Sequence, residues 1–327
     1  MEHRTLAPGF QVSALGLGCM GMSEFYGPRD DDISMQVLHA AADQGVTLFD
    51  TADMYGPHHN EELLGRFLAT TRAPVKIATK FGIVRQPGDY ARTLDMSPDY
   101  ARRSCEGSLR RLGIERIDLY YVHRVNPAQP IEDTMGALSR LVEAGKIDRI
   151  GLCEVSAATL RRAHAVHPVA AVQTEYSLWS RGPEAAILPA CRELGVGFVP
   201  YSPLGRGFLT GHYQQSAQFG AGDARAFLPR FQDAALRANL RIVDLVQAMA
   251  AARGCTPGQL ALAWLLAQGP EIVPIPGTKR LVWLAENHAA VDLILSADEV
   301  AALNAGLATV PVAGDRYTDE GMKGVDA

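Results

Sequence analysis

Eight short apolar runs, each followed by a stretch with helix punctuation, limit the fold of this chain more than any other feature. The runs are "SALGLG" (13–18), "TLFDTA" (47–52), "VKIATK" (75–80), "IDLYYVH" (117–123), "IDRIGLC" (147–153), "AAVQTEY" (170–176), "VGFVPYS" (196–202) and "IVPIPG" (272–277). Their apolar residues are continuous and do not alternate with polar ones, the pattern of parallel strands covered on both faces. Between them, Ser97-Pro98 reads as an N-cap and first helical residue, with Gly113 as the stop. Ser156 caps "AATLRRAHAV", and Thr256-Pro257 opens a helix that runs to Gly269. Ser296 and Glu299 stand in capping-box spacing, with Gly306 as the stop. Eight strand–helix units predict an α/β fold, a single-domain (β/α)8 TIM barrel over residues 1–327. Segments 1–12 and 311–327 are expected to be peripheral. The Gly-rich stretch 205–231 follows the seventh strand and reads as a lid over the site.

Composition narrows the function classes. The net charge is −5, from 31 Lys and Arg against 36 Asp and Glu, which argues against nucleic acid or an anionic membrane surface as partner. The five cysteines are odd in number and form no CxxC, as expected of a reduced, cytoplasmic protein. "MEHRTLAPGFQVSALG" has no long apolar core and does not read as a signal peptide. The longest apolar run, "LALAWLLA" (260–267), is too short to span a bilayer and reads as a core helix. Nothing in the sequence fixes an oligomeric state.

The chemistry of a barrel sits at the C-terminal ends of its strands. The second run ends at Asp50 with Tyr55 just beyond, the third at Lys80 and the fourth at His123. A carboxylate, a phenol, an ammonium and an imidazole are therefore expected on one rim. A free tyrosine, with a pKa of about 10, is a poor proton source at neutral pH. A neighbouring ammonium is expected to lower that value, so that Tyr55 beside Lys80 protonates an oxygen gaining charge. Hydride arriving at a carbonyl carbon puts charge on such an oxygen, which calls for a nicotinamide site as well.

Two candidate phosphate-binding loops follow the seventh and eighth runs. In "YSPLGRG", Tyr201 is placed to stack on a nicotinamide, and Ser202, Leu204 and Arg206 to wrap a pyrophosphate. In "IPGTKRLVWLAEN", Gly277 leads into Thr278, Lys279 and Arg280, which offer a hydroxyl and cations to a 2′-phosphate. Glu286 and Asn287 offer polar edges to adenine, and the paired cations favour NADP(H) over NAD. "GLGCMG" (16–21) fits GxGxxG, but "MSEFYGPRDDD" follows where a Rossmann motif needs a helix. Gly16 and Gly18 are instead expected to end the first strand, with Cys19 and Met20 lining the cofactor site.

These segments, in this order over about residues 5–310, resemble the aldo-keto reductase family. "FDTADMYGPHHNEELLG", "IATKFG", "DLYYVH", "GLCEVS", "VQTEYSLW", "YSPLGRGFLTG" and "IPGTKR…EN" carry the resemblance, and "RRAHAVHPVAAVQTEYSLW" is similar to its plant and microbial branch with broad aldehyde and ketone substrates. The resemblance implies a barrel binding NADPH without a Rossmann fold, and a tetrad of Asp50, Tyr55, Lys80 and His123 with Tyr55 as proton donor. It also implies that a pair after the fifth strand, here Cys153-Glu154, and Gln173 hold the nicotinamide carboxamide. Many relatives carry Ser-Asn at that pair, and a thiol is the weaker hydrogen-bonding group.

Other readings stand beside this one. A nicotinamide-binding subunit without turnover, acting as a redox sensor, would keep the same residues. A Schiff-base aldolase would use Lys80 as nucleophile, although Asp50 should keep that lysine charged. His58-His59 lack a third ligand and read as a solvated loop, with no metal site; His164 and His167 read as surface or packing residues. Trp179 reads equally as a pocket wall or as packing.

Overall fold

The computed structural model describes residues 2–86, 93–214 and 219–327. An N-terminal hairpin comes first, β1 (His3–Ala7) paired antiparallel with β2 (Phe10–Ser13). Seven parallel strands then form the barrel wall in sequence order: β3 (Leu17–Gly18), β4 (Leu48–Asp50), β5 (Lys76–Phe81), β8 (Ile117–Val122), β9 (Ile147–Cys153), β10 (Val169–Glu175) and β11 (Gly197–Tyr201). A small hairpin of β6 (Ile83–Val84) and β7 (Thr93–Leu94) leaves the end of β5.

The eighth run is extended but irregular, and proline is the reason. Val273 and Ile275 donate their N–H groups to Phe198 and Pro200 of β11 at 2.9 and 3.1 Å. On the other side Gly16 and Gly18 donate to the carbonyls of Pro274 and Pro276 at 2.9 and 3.3 Å. The prolines have no N–H to give back, so this edge of the ladder carries bonds in one direction only. The ring nevertheless closes. A Cβ on Gly18 would lie 2.8 Å from the Ile275 carbonyl, so this glycine serves close strand approach, not a phosphate loop.

Helices α1 (Asp31–Asp43), α2 (His59–Thr70), α3 (Pro98–Leu112), α4 (Ile131–Glu143), α5 (Ala157–Val166) and α6 (Ile187–Leu194) follow successive strands. Then come α7 (Asp233–Arg253), α8 (Pro257–Leu266), α9 (Leu281–Ala289) and α10 (Ala297–Ala308). The caps at Ser97, Ser156, Thr256 and Ser296 form as their sequences predict, with capping boxes at the last two. Gly306 does not stop α10. It lies inside the helix, where a Cβ would meet Leu245 of α7 at 2.7 Å. Among the described residues, no helix is long and apolar enough to cross a membrane.

Both ends of the chain, expected to be peripheral, are packed into the barrel. Leu6, Phe10 and Val12 of the hairpin are buried against Leu48, Leu119, Tyr121 and Val199 in the barrel interior. Gly197 admits them, because a Cβ there would strike Leu6. Burying Phe10 alone is worth about 1.5–3 kcal/mol, so the hairpin acts as a plug for the floor. The tail crosses the opposite mouth, where Arg316 and Tyr317 enter the site described next.

Candidate active site

Three neighbouring strands deliver the four rim residues. Asp50 ends β4, Lys80 lies near the end of β5, and His123 follows β8, its N–H bonded to the Phe81 carbonyl at 2.7 Å. Tyr55 sits on the turn between β4 and α2. Asn60 of α2 fixes that turn from beneath: it accepts from the Thr51 hydroxyl at 2.6 Å and donates to the Cys19 carbonyl and Ser23 Oγ at 2.9 and 2.7 Å. His59 bonds Ser23 Oγ through Nδ1 at 2.8 Å and faces Asp31 through Nε2 at 3.2 Å. His59 thus latches this turn, in place of the solvated loop its sequence suggested.

The lysine is fully buried, at 0% exposure, and its three N–H groups meet three oxygens. They are Asp50 Oδ1 in a short ion pair, the Thr51 carbonyl at 2.7 Å and the Tyr55 hydroxyl at 3.3 Å. Gln173 of β10 donates to the other Asp50 oxygen at 2.7 Å. Because Lys80 donates to the Tyr55 oxygen, the phenol's own hydrogen is directed away from the lysine. The His123 ring stands edge-on to Tyr55, with centroids 5.8 Å apart. Beneath them Tyr121 fills the barrel, and a side chain on Gly151 would overlap its ring.

The electrostatics differ in one respect from expectation. Burial drives the Tyr55 phenol above its ordinary value, and the pull of Lys80 in the other direction does not overcome it. Desolvation outweighs the single cation. Tyr55 is therefore a neutral, protonated donor at neutral pH. Burial opposes the charge on Lys80 as well, but Asp50, Tyr55 and Cys153 together raise its pKa, and it stays an ammonium.

The other half of the mouth is built differently. Glu154, just past β9, has φ +53 and a buried carboxylate. That carboxylate accepts from the Glu175 N–H at 3.0 Å and from Arg316 of the tail at 2.8 Å. Glu175, at the end of β10, accepts from Ser180 at 2.8 Å and from Arg206 at 2.6 Å, with Arg230 3.6 Å away. Tyr201 shares a hydrogen bond of 2.9 Å with Tyr317 of the tail. Cys153 is buried, and burial pushes its thiol up to about 12. Nothing in "CEVS" indicates that a glutamate there will bind a tail arginine, and no short-range pattern points to Arg316 or Tyr317.

The remaining expected cofactor residues are spread over the segment after β3, the loop after β11, and the loop and helix after the eighth run, and Asn287 lines a small cavity with Leu15, Gly16 and Val46. Met20, half-buried, packs with Met54 and Tyr55. Ser202 and Arg206 both have positive φ, so the loop after β11 is tightly curled. One Arg206 nitrogen, Nη1, is buried without a partner among the described residues, which fits an anionic group such as a pyrophosphate. Leu204 lines that loop near α8. Gly277 is exposed; Thr278 bonds locally to Arg280, and Lys279 donates to the carbonyls of Tyr26 and Pro28 at 2.6 and 3.0 Å. Glu286 accepts from Thr256 at 2.9 Å, and Asn287 is buried in α9. Trp179 is buried and stacks on Phe208, with centroids 4.7 Å apart, and it also lines a cavity with Ile242 and Leu307.

The segment read as a lid is fastened across the mouth. Ala224 donates to the Phe25 carbonyl at 2.9 Å, Gly27 to that of Gly222 at 3.3 Å, and Arg225 to that of Arg206 at 3.0 Å. Residues 215–218 of this segment lie outside the described residues.

Comparison with known proteins gives a consistent picture. Residues 14–307 match the profile of the aldo/keto reductase family. The NADP(+) aldo-keto reductase yakc of Schizosaccharomyces pombe is 48% identical over 311 residues, covering 94% of this chain and 92% of that protein. The structure of a glycerol dehydrogenase from Gluconobacter oxydans is similar with a TM-score of 0.86 at 30% identity, over 94% of this chain and 95% of that one. A thermostable aldo-keto reductase solved with the inhibitor epalrestat is similar with a TM-score of 0.75, also at 30% identity, over 94% and 100%.

Proposed function

The chain belongs to the aldo/keto reductase family, and on that premise we propose that it is an NADP(H)-dependent oxidoreductase that reduces aldehydes and ketones to alcohols. The observation that carries this reading is the saturated Lys80 ammonium, bonded to Asp50, Thr51 and the Tyr55 oxygen. A nicotinamide cofactor, when bound, would supply the hydride. Tyr55 protonates the carbonyl oxygen as it gains charge. Lys80 stabilises the phenolate that is left, and Asp50 and Gln173 hold Lys80 in register. His123 orients the substrate oxygen beside the Tyr55 hydroxyl.

On the cofactor side, Met20, Cys153, Gln173 and Tyr201 would frame the nicotinamide. Ser202, Leu204 and Arg206 would meet the pyrophosphate, and Gly277, Thr278 and Lys279 the 2′-phosphate. Glu286 and Asn287 would face the adenine. Two features support an anion at these loops, the Arg206 Nη1 that has no partner among the described residues and the Lys279 ammonium. Segment 205–231 would gate cofactor release.

The test is a panel of aldehydes and ketones, including para-nitrobenzaldehyde, assayed with NADPH and NADH in parallel. Turnover of several aromatic and aliphatic aldehydes, faster with NADPH, is expected. Tight NADPH binding with one stoichiometric oxidation and no turnover would replace this reading with a redox-sensing subunit.

A further inference from the structure

Arg124 is the residue at the mouth that the reaction above leaves unused. It follows His123 directly and is 4% exposed. Its Nη1 donates to the His123 carbonyl at 2.8 Å, while its Nε has no partner among the described residues. The other guanidinium groups of this region all face a carboxylate. Arg206 has Glu175 at 2.6 Å, Arg316 has Glu154 at 2.8 Å, Arg230 has Glu175 at 3.6 Å, and Arg225 has Asp223 at 2.6 Å. Arg124 has none within 4.0 Å among the described residues. Its electrostatic neighbours are Tyr201, Glu154, Tyr317 and Cys153, which places it on the β9–β11 side of the mouth beside His123.

Arg206, Arg230 and Arg316 share the carboxylates of Glu154 and Glu175 at close range, with Asp315 also acting on Arg230, whereas Arg124 feels Glu154 only from beyond 4.0 Å. An arginine cannot shed its proton, and a buried guanidinium with an unpaired N–H and no carboxylate in hydrogen-bonding reach is costly. Such a group is suited to an anion that arrives with a ligand. Arg206 and Lys279 already offer cations at the loops assigned to the cofactor phosphates, whereas Arg124 sits beside the residue that orients the carbonyl.

We propose that Arg124 is a specificity residue that receives a carboxylate of the substrate, so that the preferred substrates are aldehydes and ketones that also carry a carboxylate. This rests on the reductase reading above. The planar guanidinium fork matches a carboxylate with two parallel bonds, which the single ammonium of a lysine cannot reproduce.

The experiment compares ortho-, meta- and para-carboxybenzaldehyde with their methyl esters, using NADPH and the wild-type, Arg124→Gln and Arg124→Lys proteins. In the wild type at least one acid is expected to exceed its ester in kcat/KM by about tenfold or more, mainly through a lower KM. Arg124→Gln removes that preference and Arg124→Lys keeps part of it. A wild-type acid-to-ester ratio near one for all three isomers overturns the proposal, whether or not the glutamine variant folds. So does a preference that survives Arg124→Gln. In parallel, calorimetry measures binding of the matching carboxybenzyl alcohols to the protein loaded with NADP(+). Absence of any turnover, together with binding at least tenfold weaker in Arg124→Gln, would sink the reductase reading but uphold the carboxylate site. Equal binding in both proteins would sink the site.

Discussion

The two halves of the barrel mouth satisfy their buried charges from different sources. On the β4–β5–β8 half, Lys80 finds Asp50 and Tyr55 within 30 and 25 residues of itself. On the β9–β10–β11 half, Glu154 finds Arg316 at a separation of 162 residues, and Tyr201 finds Tyr317 at 116. The first half is met almost within itself, with Gln173 of β10 as its distant support. The second is a surface completed by the tail. The comparison teaches that a buried ammonium can be met mainly by groups near it in sequence, while Glu154 and Tyr201 are met by a segment distant in sequence.

The comparison can be broken at several points. The largest effect is expected at Lys80. Lys80→Met leaves Asp50 buried without its counter-ion and should destabilise the protein by about 3–5 kcal/mol. It should also abolish carbonyl reduction. Denaturant unfolding that shows a loss below about 1 kcal/mol would contradict the internal satisfaction of this half. A smaller effect is expected at Glu154→Gln, where the amide oxygen can still accept from Arg316 but without the charge. A loss of about 1.5–3 kcal/mol is predicted, with faster proteolysis of the tail, and unchanged proteolysis would mean that the pair does not anchor it.

The smallest effects are those of pH, and they have opposite signs in the two halves. The folded-state pKa of Lys80 is raised above the unfolded value of about 10.4, so its stabilisation is complete below that pH and is lost as pH rises beyond it. Burial opposes the charge on Glu175, but Arg206, Arg316, Arg230 and Ser180 hold its carboxyl below the ordinary range. Its contribution is therefore present above the unfolded value of about 4.3 and lost as pH falls. Tail release measured by limited proteolysis should rise only on the acid side, and the thermal midpoint of Lys80→Met should lose the alkaline dependence of the wild type. Tail release that rises instead at alkaline pH would contradict the assignment.

Much of the fold is legible in the sequence because parallel strands buried on both faces leave continuous apolar runs. The eighth run was legible as a strand but not in its irregularity, which comes from Pro274 and Pro276 lacking donors on one edge. The plug at residues 3–13 carried only the Pro8-Gly9 turn as a signal. That Asp50, Tyr55, Lys80 and His123 converge on one rim was legible because three of them lie at or next to the ends of neighbouring strands and Tyr55 follows Asp50 by five residues. The latch through Asn60 and His59 had a weak signal, polar residues opening a helix. The raised pKa of Tyr55 was not legible, since it depends on how completely the ring is buried. Nor were the partners of Glu154 and Glu175, because no local pattern relates a strand end to a tail.

The kcat of Tyr55→Phe with para-nitrobenzaldehyde and NADPH tests the acid half most directly. The account predicts a fall of about 10²–10⁴-fold while NADPH still binds and the protein remains folded. A kcat within about twofold of the wild type would mean that the proton comes from another group, and the assignment of Tyr55 would not stand.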